Sequence, residues 1–320
     1  MEAYGVYNQF ITAASDLVTT YEQTRAGFLS IALEKNMISD PYVKRALAFK
    51  ALVANTTGPD DLIEMTEVRP FMLTASGLSD KSMQYLSETD KTNAIMELVE
   101  KFLKPAGTNY IDEVIYRYLL IKGDAVGGTM RNRIGALGQE RLIRALISCM
   151  NVMGFDYKWL SNSSCIWQDK KDNDLGIEKD LKAIYWNNGY EDRVLGFNLN
   201  IPIVSKNVDI CLFNATTSLY NKGKIVSMPQ CTLMLGELKG GIDPAGADEH
   251  WKTANTALGR IRTAFHNANL PIKTTFIGAA IATAMSIEIY QQLSDGTLDN
   301  AANLTNLNQL TDYCNWILTV

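Results

Sequence analysis

The chain holds only two histidines, His250 and His266, and five cysteines, Cys149, Cys165, Cys211, Cys231 and Cys314, none of them in a C-x-x-C pair. That scarcity argues against a histidine-rich or Cys₄ zinc site, and an odd number of scattered thiols argues against a disulfide framework. Reduced, mostly buried thiols are the expectation. No window approaches the roughly 18 consecutive apolar residues that a membrane span requires, and the opening MEAYGVYNQF lacks the basic-then-apolar order of a signal peptide. A folded cytoplasmic protein is therefore expected, and 47% hydrophobic residues in a chain of 320 suffice for a sizeable core. Neither an internal repeat nor a low-complexity tract is present.

The last 40 residues carry no lysine or arginine and four acids. Charge is segregated elsewhere too. Residues 51–100 hold three bases against nine acids, residues 101–150 eight against four, and residues 201–275 eight against five. A net charge of −5 and a pI near 5.2 speak against a polyanionic partner taken alone. The local field draws a polyanion, however, and two net-basic segments inside an acidic chain can build an anion-binding surface. Ordinary variation of charge along a chain is the plainer account.

Residues 7 to about 124 read as helices, because YEQTRAGFLSIALEKN and TNAIMELVEKFLKP repeat apolar residues at three- and four-residue spacing. Breakers stand at Asp40-Pro41, Thr57-Gly58-Pro59-Asp60, Pro70, Gly77 and Pro105-Ala106-Gly107. A second helical stretch spans about 126–150. The pattern then changes: KAIYW, Asn187-Asn188-Gly189 and RVLGFNLNIPIV read as strand, tight turn and strand. Further strands are expected at 206–214, 231–239 and 273–281. Between the last two lies a helix entered at Asp243-Pro244 and delayed a turn by Gly246, with Ala247, Trp251, Ala254, Leu258, Ile261 and Phe265 as its buried stripe. The expected fold is α/β: a core with a mixed central sheet flanked by helices (residues 125–320), plus a mostly helical N-terminal domain (residues 1–124).

In CTLMLGELK, side chains two apart share a face, so Glu237 and Lys239 point the same way. Asp209 sits inside the apolar strand NVDICLF, where an unpaired charge is costly to bury. If the two strands pair, Asp209 and Glu237 converge on one divalent cation with Lys239 beside them. Mg²⁺ suits this arrangement, because it takes oxygen ligands and is commonly held by one or two carboxylates plus waters and substrate phosphate. Asp…Glu-x-Lys is the arrangement of the PD-(D/E)xK nucleases. On its own the E-x-K triplet is weak, and a strand-end ion pair explains it as well.

The surroundings are more specific. KNVDICLFN, LGELKGGIDPAGADEHWKTANTALGRIR and FIGAA resemble the AvaI/BsoBI family of type II restriction endonucleases, as do TTYEQTRAGF, ALEKN, GLSDK, KPAG with YRYLL, and GGTMRN. The likeness covers both halves of the chain and is weakest at 157–195 and 215–230. It implies a homodimer that cuts double-stranded DNA at the degenerate palindrome CYCGRG after the first C, leaves 5′ overhangs, requires Mg²⁺, and has a DNA methyltransferase as genetic partner. By matching position, Asp209 and Glu237 would be metal ligands, Lys239 the catalytic lysine and His250 the general base. A half-buried packing role for His250 stays open, and His266 reads as a solvated or capping residue.

Lys81, Lys206 and Asp243 match positions of base contact in the same family; lysine donates to guanine and aspartate accepts from the cytosine amino group. The alternatives are a solvated charge for Lys81, a phosphate contact for Lys206 and a helix cap for Asp243. Arg25, Lys122, Arg131, Arg133, Lys222, Lys224, Arg260 and Arg262 are unassigned candidates for phosphate contacts. The helical part would clamp the duplex and share in recognition. Three competing readings are a PD-(D/E)xK nuclease of other specificity, a catalytically silent DNA-binding relative, and a module for small anions.

Overall fold

The computed structural model describes residues 7–221 and 223–320; the first six residues and Lys222, a candidate phosphate contact, lie outside the described set. Helices α1 (Ala14–Leu17), α2 (Tyr21–Leu52), α3 (Asp61–Glu64), α4 (Arg69–Ala75), α5 (Glu88–Leu98) and α6 (Tyr110–Met153) precede strands β1 (Tyr157–Ser161), β2 (Trp167–Asp169), β3 (Leu181–Asn187), β4 (Asp192–Ile201) and β5 (Lys206–Asn214). Then follow α7 (Thr217–Asn221), β6 (Thr232–Lys239), α8 (Ala247–Asn267), β7 (Lys273–Gly278), α9 (Thr283–Ser294), β8 (Asn300–Asn303) and α10 (Leu307–Thr319).

The described residues form two compact units, Leu29–Arg133 and residues 7–28 together with those of Ile134–Val320. Both divisions between the units fall within helices, α2 and α6. The N-terminal segment joins the sheet unit through bonds that span most of the chain. Asn8 Nδ2 donates to Gln309 O at 2.6 Å, Thr19 N to Ile281 O at 3.0 Å, and Asn303 Nδ2 to Leu17 O at 3.0 Å.

The unit 29–133 is helical, and its core stacks Phe71 between Phe49 (4.1 Å between centroids) and Tyr118 (3.7 Å). Two expected breaks do not occur. Pro41 lies inside α2, where it removes one backbone bond at a cost of about 3 kcal/mol, and the rest of a 32-residue helix carries on past it. Likewise α6 continues unbroken through Gly123, Gly127 and Gly128 for 44 residues. Glycine costs a helix only about 1 kcal/mol relative to alanine, which length and packing override.

The other unit is built on an eight-stranded sheet of order β2-β1-β3-β4-β5-β6-β7-β8. It is antiparallel as far as β6 and parallel for β6–β7 and β7–β8. Connection length explains the change. The β3–β4 turn needs few residues and uses Gly189 at φ +97°, whereas α8 and α9 supply the long crossovers that parallel strands require. Residues alternate between faces. Phe276 meets Trp251 of α8 edge-on at 5.0 Å, while its neighbour Thr275 reaches the hydroxyl of Tyr313 of α10 at 2.8 Å. The predicted stripe of α8, from Ala247 to Phe265, is buried throughout, and a short turn at Pro244–Gly246 precedes the helix.

Candidate active site

Asp209, Glu237 and Lys239 meet where β5 and β6 part. Their ladder pairs Cys211 with Leu235 and Ile210 with Gly236, so one more step sets Asp209 opposite Glu237. There the side chain replaces the ladder: Asp209 Oδ2 accepts from Leu238 N at 2.9 Å and from Lys239 Nζ at 3.2 Å. Lys239 Nζ also donates to Glu237 Oε2 at 2.7 Å, which confirms that residues two apart on β6 share a face. On its other side, Gly236 lets β6 lie close against β7, because a Cβ there would lie 2.4 Å from Thr275 Oγ1.

Side-chain exposure is 6% for Glu237, 23% for Lys239 and 26% for Asp209. Burial, and then the charge of Asp209, push the Glu237 carboxyl above its ordinary range against the pull of Lys239. Burial alone would lower the Lys239 ammonium, but the charges and hydrogen bonds of Asp209 and Glu237 outweigh it and hold lysine above its usual value. Two carboxylates share one ammonium, leaving one uncompensated negative charge in a half-desolvated cleft. That donor set fits a hard divalent cation, which needs only one or two carboxylates and completes its shell with water and phosphate oxygens. Among the described residues no cluster of three or more His, Cys, Asp or Glu side chains forms a protein cage for a metal.

The loop after β6 is held from two sides. Ala279 N donates to Lys239 O at 2.8 Å. A Cβ on Gly138 of α6 would lie 2.7 Å from Gly240 Cα, and one on Gly240 would lie 2.9 Å from Ile134 O, so helix backbone touches loop backbone directly after the lysine. The sequence reading passed over this contact, although Gly135 and Gly138, one turn apart in a long helix, were a signal of close approach.

His250, in the first turn of α8, is exposed rather than half-buried. Its Nε2 lies 3.4 Å from where a Gly246 Cβ would be and 3.7 Å from that of Gly241, so the ring covers the glycine loop that follows Lys239. Asp243 is exposed and caps the turn ahead of α8 through Oδ1, which accepts from Ala245 N at 3.0 Å. Lys206 is the exposed first residue of β5, three before Asp209. Lys81 is exposed in the helical unit, ahead of the turn Ser82–Gln84. Arg133 is tied to Glu34 at 2.5 Å, and Arg262 to Thr274 Oγ1 at 3.3 Å.

A family profile described as restriction endonuclease BsobI matches residues 7–320. The chain belongs to the BsoBI restriction endonuclease family. It is 48% identical over 317 residues to the type II restriction enzyme BsoBI of Geobacillus stearothermophilus, covering 98% of each chain. It is 46% identical over 312 residues to the type II restriction enzyme AvaI of Nostoc sp. and of Anabaena variabilis, covering 98% of this chain and 99% of the relatives. The chain is thus a type II restriction enzyme by family, and the carboxylate–lysine cluster lies within the matched region. No helix among the described residues is long and apolar enough to cross a membrane.

Proposed function

We propose that this enzyme is a Mg²⁺-dependent endonuclease that hydrolyses double-stranded DNA at CYCGRG after the first C, leaving 5′ overhangs, and acts in the cytoplasm as a homodimer. The observation that carries the chemistry is the convergence of the Asp209 and Glu237 carboxyls on Lys239 at the parting of two core strands. Asp209 and Glu237 are the proposed ligands of Mg²⁺, which when bound would offset phosphate charge and favour ionisation of the attacking water.

The protein's own groups divide the remaining work. Glu237 is fixed in the sheet and Asp209 by the Leu238 amide, so both carboxylates are held in place as the residues that would hold the cation beside the scissile phosphate. Lys239 keeps its proton, and its Nζ donates to the oxygens that gain charge as the phosphorus becomes five-coordinate. His250 accepts the proton of the attacking water, and its exposed ring in the first turn of α8 is open to solvent for that task. Lys81, Lys206 and Asp243 are proposed to read base edges, Asp243 through the oxygen its capping bond leaves over. A two-fold palindrome suits a two-fold dimer in which each subunit cuts one strand. A methyltransferase of matching specificity would protect the host.

The test is incubation of the purified protein with plasmid DNA, with Mg²⁺ and with chelator, followed by sequencing of the ends. Discrete Mg²⁺-dependent ends at C/YCGRG support the whole reading. Ends at another sequence would keep the catalytic set and overturn the recognition residues; binding without cleavage would mark a silent relative.

A further inference from the structure

We propose that a cleft inside the helical unit binds a backbone phosphate of the DNA duplex. The cleft, about 400 Å³, is lined by Arg45, Arg69, Lys91 and Lys122 with the hydroxyls of Thr66 and Thr74. Its four cations come from four different helices, α2, α4, α5 and α6, so the fold rather than local sequence gathers them. Residues 51–100 contain nine acids and only three bases, Arg69, Lys81 and Lys91. Two of those three line the cleft, and the third follows Asp80 on its rim. Chance placement along an acidic stretch does not readily produce that grouping.

The cations are undercompensated. Glu88 serves both Arg69 (3.2 Å) and Lys91 (2.8 Å), and Asp80 approaches Lys122 only to 3.4 Å. Arg45 has no ion-pair partner among the described residues. Four positive groups thus face two carboxylates, and both carboxylates are on the solvent side, with Glu88 74% and Asp80 80% exposed. The lysine side chains are withdrawn, Lys122 to 13% and Lys91 to 19% exposure. A partly desolvated cleft with net charge +2 and hydroxyl donors suits a phosphate, which offers several acceptor oxygens to converging donors. Lys81 follows the lining residue Asp80 in sequence, and phosphate contacts set the register in which neighbouring side chains read bases. The inference rests on the endonuclease reading, since that reading supplies the duplex.

The experiment measures duplex affinity as a function of salt, without Mg²⁺, for the wild type, Arg45→Ala, Arg45→Glu, Lys122→Ala and the control Lys101→Ala, with melting temperatures recorded for each. Lys101 lies outside the cleft, exposed and paired with Glu97. Arg45→Ala and Lys122→Ala should each weaken specific and non-specific duplexes alike, on the order of tenfold, and flatten the dependence of log K on log salt by about 1. Arg45→Glu should weaken binding further, and Lys101→Ala should match the wild type. Arg45 is exposed, so its variants report even if Lys122→Ala unfolds. Unchanged affinity and slope in the Arg45 variants, beside a wild type that binds and cuts, would overturn the cleft and leave the endonuclease reading standing. A wild type that neither binds nor cuts duplex would overturn both. Saturable, Arg45-dependent binding of inorganic phosphate without any change in DNA affinity would assign the cleft to a small anion and overturn the DNA proposal.

Discussion

The sheet unit and the helical unit each gather charged side chains, but in opposite ways. At the strand ends, two carboxylates and a lysine are locked together at 2.7 and 3.2 Å with at most about a quarter of each exposed. In the helical unit, four cations surround a cleft whose two carboxylates stand in solvent. The first cluster has strong local fields and little freedom, the conditions under which preorganised charge stabilises a transition state. The second has an excess of one sign at an open surface, the condition for salt-dependent attraction of a polyanion. On the proposed roles, burial and compensation would separate residues that set the rate from residues that set affinity.

His250 can break that comparison, because it is exposed and yet proposed to act in the chemical step. His250→Ala should slow cleavage by about 10²–10⁴-fold with little change in melting temperature. An unchanged single-turnover rate would move proton acceptance to the phosphate or bulk water and leave the buried cluster as the whole of the chemistry. Lys239→Ala comes next. It should slow cleavage by about 10²–10³-fold and lower stability by roughly 1–3 kcal/mol, since Glu237 and Asp209 then face each other without a counter-charge. Thermal melts in chelator and in Mg²⁺ check this: Mg²⁺ should restore more stability to the variant than it adds to the wild type, because a ligand stabilises the folded state that binds it. A smaller effect is expected of Gly138→Ala, whose methyl would meet Gly240 Cα at 2.7 Å. It should cost about 1–3 kcal/mol and reduce the cleavage rate more than duplex affinity; reduced affinity with an unchanged rate would detach α6 from the positioning of Lys239.

Much of the carboxylate–lysine cluster was legible in the sequence because strand alternation dictates it: a Glu and a Lys two apart must share a face, and an Asp inside an apolar run must find a partner. The α8 stripe was legible for the same reason, as a period that no other structure satisfies. Strand β8 was not. Its residues, Asn300-Ala301-Ala302-Asn303, lack β-branched or aromatic side chains, and the strand is fixed by contacts across the chain, among them Asn303 Nδ2 to Leu17 O. Nor were the unbroken courses of α2 and α6, since packing overrode Pro41 and three glycines that local rules treat as stops. The cleft at Arg45 was hidden because its cations lie far apart in sequence, although two of the three lone bases in an acidic stretch were its trace. The contact of Gly138 with Gly240 joins residues about a hundred apart, and only the fold brings them together.

The most direct test of the account is a paired measurement on Asp209→Ala and Glu237→Ala: single-turnover cleavage of a CYCGRG duplex in Mg²⁺, and affinity for the same duplex in chelator. The account predicts a loss of rate on the order of 10³-fold or more with affinity kept within a few-fold, because the carboxylates hold the metal and not the bases. Cleavage at a wild-type rate by either variant would contradict it and return Asp209, Glu237 and Lys239 to an ion pair at a strand end.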